Sequence, residues 1–428
     1  MSRVTLVRLG FVLMCFAPQV RYLVPIAGLL VLVSGAALAF VSLPWRRLPR
    51  SALFFCAYFI AFGVFGLFVQ LFGDAPVGTP PARPLFFYAF SGLALVLSGL
   101  QILRQPGGDR FVLNALCMLL IAEIIVVGLQ FSHMSFGVGL ELGDDAVRDR
   151  LIEGSYGNPN NVAVVLSLLL MVLVLSGHIR LSSLTGAALV VGTLVAVFVT
   201  LSRTAVAFLG TFLAAAMFVP DLRRMSLAGS MRALRRALPV LAVLAVFVIM
   251  LIRSGVITDF EDLAVIERSV ERISELSTFG QDASVEWRLT VASRLLEALP
   301  TLGFGSMSDQ NYGQFFQPLD PALASINPHS YLVEMSFLFG YPGLCLAVSF
   351  LVVAVLRIVT ATGTRPLLGL MFGFSVLFFQ MVPSSLLPLD IFFLIAAIAG
   401  TRSLYGATEP TLPPAPLPTL ATPQVRLP

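Results

Sequence analysis

The feature that most constrains this chain is a series of long apolar runs that repeat from one end to the other. A transmembrane helix needs about 20 apolar residues to cross the hydrocarbon core of a bilayer. The chain of 428 residues is 57% hydrophobic and 12% charged, and its mean hydropathy is +0.93. Soluble domains usually carry about twice that charged fraction. Most of the chain is therefore expected to face lipid or other membrane helices.

The apolar runs between charged or turn-rich breaks predict an all-α polytopic membrane protein with about 12 transmembrane helices. The predicted spans are 4–20, 22–43, 51–73, 85–103, 111–131, 159–177, 181–200, 202–219, 237–253, 329–356, 366–382 and 386–402. Nine spans fill residues 1–253, a large periplasmic loop with two amphipathic helical patterns covers 254–328, and three spans fill 329–402. The proline-rich cytoplasmic tail at 403–428 is expected to be disordered.

The placement of arginine predicts the orientation, because positive charge is retained on the cytoplasmic side. In this arrangement one side holds 17 arginines and three acids, and the other holds 10 arginines and 17 acids. Both termini are then cytoplasmic, and the loops at 132–158 and 254–328 face the periplasm. We therefore expect a multi-pass protein of the bacterial inner membrane, surrounded by membrane lipids.

Composition argues against several other classes of function. All 27 basic residues are arginines, and no basic run alternates with aromatic residues, so a nucleic-acid partner is not expected. The four cysteines lie in apolar runs without metal-ligand spacing. No combination of histidine, cysteine and acids resembles a zinc site, and no cofactor is expected. A cleavable signal peptide is not expected either, because Arg21 interrupts the first apolar stretch.

The most informative polar residues lie in the stretch INPHSYLVEMSFLFGYPGL at 326–344. Asn327 is a good helix N-cap, and Pro328 suits the first helical position. His329 would then lie in the first turn of a membrane helix, at its external end. There the helix dipole and free N–H groups favour an anion such as pyrophosphate, beside an imidazole that can accept a proton. The alternative is that His329 lies at the membrane interface without a role in binding or catalysis.

Three arginines are candidate cations on the external side. Arg203 lies between two apolar runs, at the external end of a tight helical hairpin, and its planar fork matches phosphate oxygens. The alternative is an interfacial arginine that contacts lipid headgroups. Arg288 lies in an amphipathic pattern of the large loop, and Arg83 lies in a short external loop; each alone would be a solvated charge. Asn158 before Pro159 predicts another helix start.

Three acids, Glu123, Glu334 and Asp390, are predicted at membrane depth. An acid inside a membrane is a functional candidate by default. Glu123 and Asp390 could form a proton path, which is the interpretation of the chain as a transporter or flippase. Glu334 lies five residues after His329 and is expected to orient neighbouring helices.

Four blocks occur in a fixed order along the chain. They are GNPNN (157–161), SRTA (202–205), EWR (286–288) with LGFG (302–305), and PHSYLVEMSFLFGYPG (328–343). In order and layout they resemble the O-antigen ligase and polymerase superfamily, in which the last block follows a large external loop. The resemblance covers roughly residues 150–345 in motif and the entire chain in layout.

This resemblance implies a metal-independent glycosyltransferase at the periplasmic face of the inner membrane. Its donor would be a glycan linked to undecaprenyl pyrophosphate. Arg203 and Arg288 would match the two arginines of the family near the pyrophosphate. His329 would match its histidine, which acts as general base or pyrophosphate contact. Further candidate substrate-binding residues are Arg83, Asn158, Asn160 and Ser330.

The members of the superfamily differ in their acceptor. The first interpretation is an O-antigen ligase that uses lipid A–core oligosaccharide and, by direct displacement, inverts the anomeric centre. The alternatives are an O-antigen polymerase, a protein O-oligosaccharyltransferase and, from a different class, the transporter or flippase.

Overall fold

The computed structural model describes most of the predicted helical regions and only fragments of the large loop. The described residues are 2–45, 48, 50–72, 83–131, 152–200, 202–222, 238–240, 242–243, 290–294, 296–297, 299–300, 330–363, 365–382 and 389–405. Predictions for the remaining residues, including most of the loop at 254–328 and the tail, lie outside this range. Throughout the described part the regular structure is helical and contains no strand, which confirms the all-α class.

The helices follow the predicted spans closely. They are α1 (Arg3–Leu23), α2 (Pro25–Ser42), α3 (Arg50–Phe72), α4 (Arg83–Leu103), α5 (Gly108–Phe131), α6 (Pro159–Leu175), α7 (Leu184–Val199), α8 (Arg203–Leu222), α9 (Tyr331–Ala361), α10 (Pro366–Phe379) and α11 (Asp390–Ile398). Short 3-10 turns cover Gly154–Tyr156 and Arg402–Tyr405. The ninth predicted span, 237–253, is described only at 238–240 and 242–243, which are helical.

Four helices of the described part, α1, α2, α5 and α9, are long and apolar enough to cross a membrane. Further apolar helical stretches of 10–17 residues accompany them. The described part is therefore that of an all-helical membrane protein, and the count of 12 spans stays a prediction. The last helix, α11, has 9 residues and is shorter than the predicted span at 386–402.

The first two helices form a closely packed pair. A Cβ atom on Gly10 would lie 2.7 Å from the carbonyl oxygen of Gly35, and one on Gly35 would lie 2.9 Å from the carbonyl oxygen of Gly10. Glycine at both positions lets the two backbones touch, which is how membrane helices commonly pack. Val24 is extended, and Pro25 begins α2, so the chain turns sharply between the two helices.

Helix α6 is the central helix of the bundle. Every residue from Asn161 to Leu175 is buried, and the sequence of this helix is apolar on all sides. A helix that is apolar all round is stable only when other helices or lipid surround it. Here α5, α7, α8, α10 and α11 pack against it.

Side-chain contacts fix the relative directions of these helices. Arg365, which precedes α10, donates from Nη1 to the Leu175 carbonyl oxygen at the end of α6, at 2.9 Å. Phe208, near the start of α8, packs against Phe378 and Phe379 at the end of α10, with ring centroids 5.1 and 5.7 Å away. Since α10 runs antiparallel to both helices, α6 and α8 begin at the same end of the bundle.

Helices α9 and α11 also begin at that end. The Tyr331 N–H donates to the carbonyl oxygen of Gln380, just after α10, at 2.8 Å. The Tyr331 ring lies 5.8 Å from the ring of Phe393, which lies in the first turn of α11. The starts of α6, α8, α9 and α11 therefore gather at one end, which we call the site end.

Helix α9 is broken near its start. Gly340 has φ +62° and ψ −143°, which separates a segment at 331–339 from a longer one at 341–361. A Cβ atom on Gly343 would lie 2.0 Å from the carbonyl oxygen of Met335. Eight residues of a straight helix rise about 12 Å, so the two segments must meet at a sharp angle. The predicted span at 329–356 is therefore not one straight crossing.

Candidate functional site

The structure describes some predicted site residues with their side chains, some only in their backbone and some not at all. His329 and Arg288 lie outside the described residues, and for Arg83 and Arg203 only the helical backbone is described. Arg203 is the first residue of α8, and Arg83 is the first residue of α4. The side chains of Asn158, Asn160 and Ser330 are described, at the starts of α6 and α9 on the site end.

Helix α9 begins later than its sequence suggests. Ser330 is the N-cap, with an extended backbone (φ −155°, ψ 125°) and a side chain that accepts from the Val333 N–H at 3.5 Å. The prediction of Asn327 as the N-cap is therefore wrong, and so is the placement of His329 in the first turn. A serine hydroxyl caps as well as an asparagine, and a partner distant in the sequence favours the cap at Ser330.

That partner is Gln380, a buried residue that follows α10. Its Oε1 atom accepts from the Leu332 N–H at 3.2 Å and from the Ser330 hydroxyl at 3.3 Å. Its own carbonyl oxygen accepts from the Tyr331 N–H at 2.8 Å. The sequence alone does not single out Gln380, because a lone glutamine at the end of an apolar run indicates only that a span ends there.

These hydrogen bonds give acceptors to N–H groups at the start of α9 that were expected to be free. Tyr331, Leu332 and Val333 donate to Gln380 and Ser330, and the Glu334 N–H donates to the Ser330 carbonyl oxygen at 2.8 Å. A helix leaves four N–H groups without partners inside the helix at its start, and here the protein supplies acceptors for those of Tyr331, Leu332 and Val333. The expectation that the N–H groups at this helix start are free is therefore wrong.

The start of α6 agrees with its prediction. Asn158 is the N-cap, its Oδ1 atom accepts from the Asn160 N–H at 2.9 Å, and Pro159 occupies the first helical position. The side chains of Asn158 and Asn160 are both half-buried. The next residue, Asn161, is buried, and its Oδ1 atom has no hydrogen-bond partner within the part of the chain that the structure describes.

A fully buried carboxylate anchors the segment before α6. Glu123 in α5 accepts from the side-chain amide of Gln19 at 2.9 Å, from the Ser155 N–H at 2.8 Å and from the Ser155 hydroxyl at 2.5 Å. Beside it, the Gly154 N–H donates to Oε1 of Gln130 at 2.8 Å. The interpretation of Glu123 as part of a proton path stays a prediction, and its contacts anchor this segment at the site end.

Asp390 also lies at the site end, where its Oδ1 atom is buried without a hydrogen-bond partner among the described residues. It is the first residue of α11, where the positive end of the helix dipole favours an acid. It forms a hydrogen bond with Ser91 of α4. This contact ties α11 to α4 at the site end.

Two groups in the connecting segments have altered acidity. Burial lowers the pKa of His178, which lies between α6 and α7. Burial raises the pKa of Glu153, in the segment that Glu123 anchors. Because His178 lies beyond the end of α6, it is at the opposite end of the bundle from the start of α6.

An all-helical membrane protein in which several helix starts gather around polar side chains has the layout of a polytopic membrane enzyme or carrier. Residues 187–348 match the family model described as O-antigen ligase. The match confirms the resemblance to the O-antigen ligase superfamily over these residues, which run from α7 into the second segment of α9. The SRTA, EWR and PHSY blocks fall inside the match, and GNPNN lies before it. No curated protein matches the chain.

Proposed function

We propose that this protein is an O-antigen ligase. It transfers a glycan from undecaprenyl pyrophosphate to lipid A–core oligosaccharide at the periplasmic face of the inner membrane. The observation that carries the proposal is the match of residues 187–348 to the O-antigen ligase family. That range includes Arg203, Arg288 and His329, the three residues to which the proposal gives catalytic roles.

The leaving group of this reaction is a pyrophosphate, whose negative charge grows as the glycosidic bond breaks. Guanidinium groups fixed near that charge stabilise the transition state without a metal. The proposal gives this role to Arg203 and Arg288. The positions of two helix starts support this role. Helix α8 begins at Arg203 and α9 begins at Tyr331, at the same end of the bundle.

His329 is proposed as the general base that removes the proton of the acceptor hydroxyl, or as a further contact of the pyrophosphate. Because the first-turn N–H groups of α9 already have protein acceptors, anion binding in this proposal depends on side chains and not on that helix terminus. Asn158, Asn160, Ser330 and Arg83 remain the proposed substrate-binding residues. Direct displacement would invert the anomeric centre.

The proposed orientation places the site end in the periplasm and both termini in the cytoplasm. This follows the arginine distribution. It gives the donor, whose lipid tail stays in the bilayer, access to the site from the membrane plane.

The test is transfer by purified protein in detergent with EDTA present. The protein receives the lipid-linked glycan together with lipid A–core, a second lipid-linked glycan or a pilin-type protein, each in a separate reaction. We expect product on lipid A–core. We also expect His329→Ala to lower the rate by about 10²–10⁴-fold, the usual contribution of a general base.

His178→Ala is the matched control, since this histidine lies at the opposite end of the bundle and should leave the rate unchanged. Product on the second glycan or on the pilin-type protein instead would reassign the enzyme as a polymerase or a protein O-oligosaccharyltransferase. No product on any acceptor, from folded protein, would reject transfer and favour the transporter.

A further inference from the structure

Gln380 contacts each of the three residues at the start of α9, which are Ser330, Tyr331 and Leu332. Its side-chain Oε1 atom accepts from Ser330 and Leu332, and its carbonyl oxygen accepts from Tyr331. The residue is 3% exposed, so water does not compete for these bonds. A single residue that follows α10 therefore sets the position of residues 330–332.

The segment at 331–339 depends on such contacts for its direction. The non-helical Gly340 separates it from the segment at 341–361, which is long enough to cross the membrane. In a straight helix, the orientation of the membrane-spanning part would also fix the orientation of the first turn. With the break at Gly340 that coupling is lost, and bonds from neighbouring helices must replace it.

We propose that Gln380 is a positioning residue for glycan transfer. It holds residues 330–332 in one orientation, and His329 is the residue that directly precedes them in the sequence. This inference rests on the proposed function, since it assigns the reaction whose geometry Gln380 maintains. Gln380 acts through the start of α9 and is not itself assigned a contact with either substrate.

Three variants of the full-length protein separate positioning from stability. Gln380→Met keeps the side-chain length and removes the acceptor. Gln380→Glu keeps a carboxyl oxygen as acceptor, next to a helix start that favours an acid. Ser375→Ala is the matched control, because this buried hydroxyl of α10 donates to the Met371 carbonyl oxygen within its own helix.

We expect Gln380→Met to lower kcat per folded molecule by about 10–100-fold, since small displacements of reacting groups have effects of that size. KM for the donor should change less than kcat. Gln380→Glu should recover most of kcat, and Ser375→Ala should resemble the unmodified protein. An unchanged kcat in folded Gln380→Met, or a loss only in the yield of folded protein, would overturn the inference.

A second measurement does not require transfer activity. Diethyl pyrocarbonate modifies accessible neutral histidines, and peptide mass spectrometry gives the rates for His329 and His178 in the same sample. We expect Gln380→Met to change the ratio of these rates by about threefold or more, the equivalent of one net hydrogen bond. Gln380→Glu and Ser375→Ala should leave it unchanged.

The two measurements distinguish this inference from the proposed function. If the unmodified protein transfers no glycan, the proposed function fails, and the labelling ratio alone decides whether Gln380 fixes the start of α9. An unchanged ratio in Gln380→Met would then overturn the inference.

Discussion

At the scale of single residues, Glu123 shows how a buried acid is accommodated in this protein. The carboxylate is 0% exposed, and its oxygens accept three hydrogen bonds from Gln19 and Ser155. A buried polar group is costly unless hydrogen bonds replace its hydration. The three bonds join α1, α5 and the segment before α6, so Glu123 links three parts of the chain at the site end.

Removal of this carboxylate should therefore destabilise the fold. Glu123→Ala removes the acceptor of the Ser155 N–H and hydroxyl, while the Gln19 amide keeps its bond to Ser155; a buried donor left without an acceptor costs about 1–3 kcal/mol. We expect a loss of roughly 3 kcal/mol, measured as a fall in the thermal unfolding midpoint in detergent. Ser98→Ala is the control, since that buried hydroxyl bonds only within α4. Equal midpoints for the two variants would contradict the anchoring role.

The sequence predicts which polar residues are unusual but not which residues they contact. Glu123 is conspicuous as an acid inside an apolar run, yet its partner Gln19 lies 104 residues away along the chain. Gln380 lies 50 residues from Ser330. Local capping signals identify Asn158 correctly, because its acceptor bond closes within the same turn. The same capping signals misplace the start of α9. Asn327 and Ser330 are both possible N-caps, and the tertiary contact with Gln380 favours Ser330.

At the scale of secondary-structure elements, the break in α9 explains the FGYPG sequence at 339–343. Gly340 adopts a positive φ that residues with a side chain rarely adopt. Pro342 has no N–H, so it suits the start of a new helical segment. Gly343 allows the close approach to the Met335 carbonyl oxygen. The sequence predicts one continuous helix here, since apolar residues continue across the break.

Gly343→Ala should disturb this break. The added Cβ atom would lie 2.0 Å from a backbone oxygen, which cannot rotate away as a side chain could. We expect a loss of about 1–3 kcal/mol, the usual cost of overpacking, read as a lower thermal unfolding midpoint. In Gly210→Ala of α8 the added atom meets nothing within 4 Å, and that variant should be as stable as the unmodified protein or slightly more so. Two variants of equal stability would contradict the close approach.

At the scale of the whole molecule, the described helices separate two chemically different ends. The site end gathers the starts of α6, α8, α9 and α11 with the buried polar contacts of Glu123 and Gln380. At the opposite end, Arg365 donates to the last carbonyl oxygens of α6, and His178 follows that helix. The proposed reaction requires the site end to face the periplasm, because both substrates are presented there.

The orientation can be tested with two matched substitutions in a chain whose four cysteines are replaced by serine. Arg21→Cys lies at the end of α1, near the Gln19 contact of the site end, and Arg180→Cys lies beyond α6 at the opposite end; both arginines are exposed. A membrane-impermeant maleimide added to spheroplasts should label Arg21→Cys at once and Arg180→Cys only after permeabilisation. The reverse pattern would place the helix starts in the cytoplasm. It would then exclude periplasmic transfer at this end of the bundle, whatever family the chain resembles.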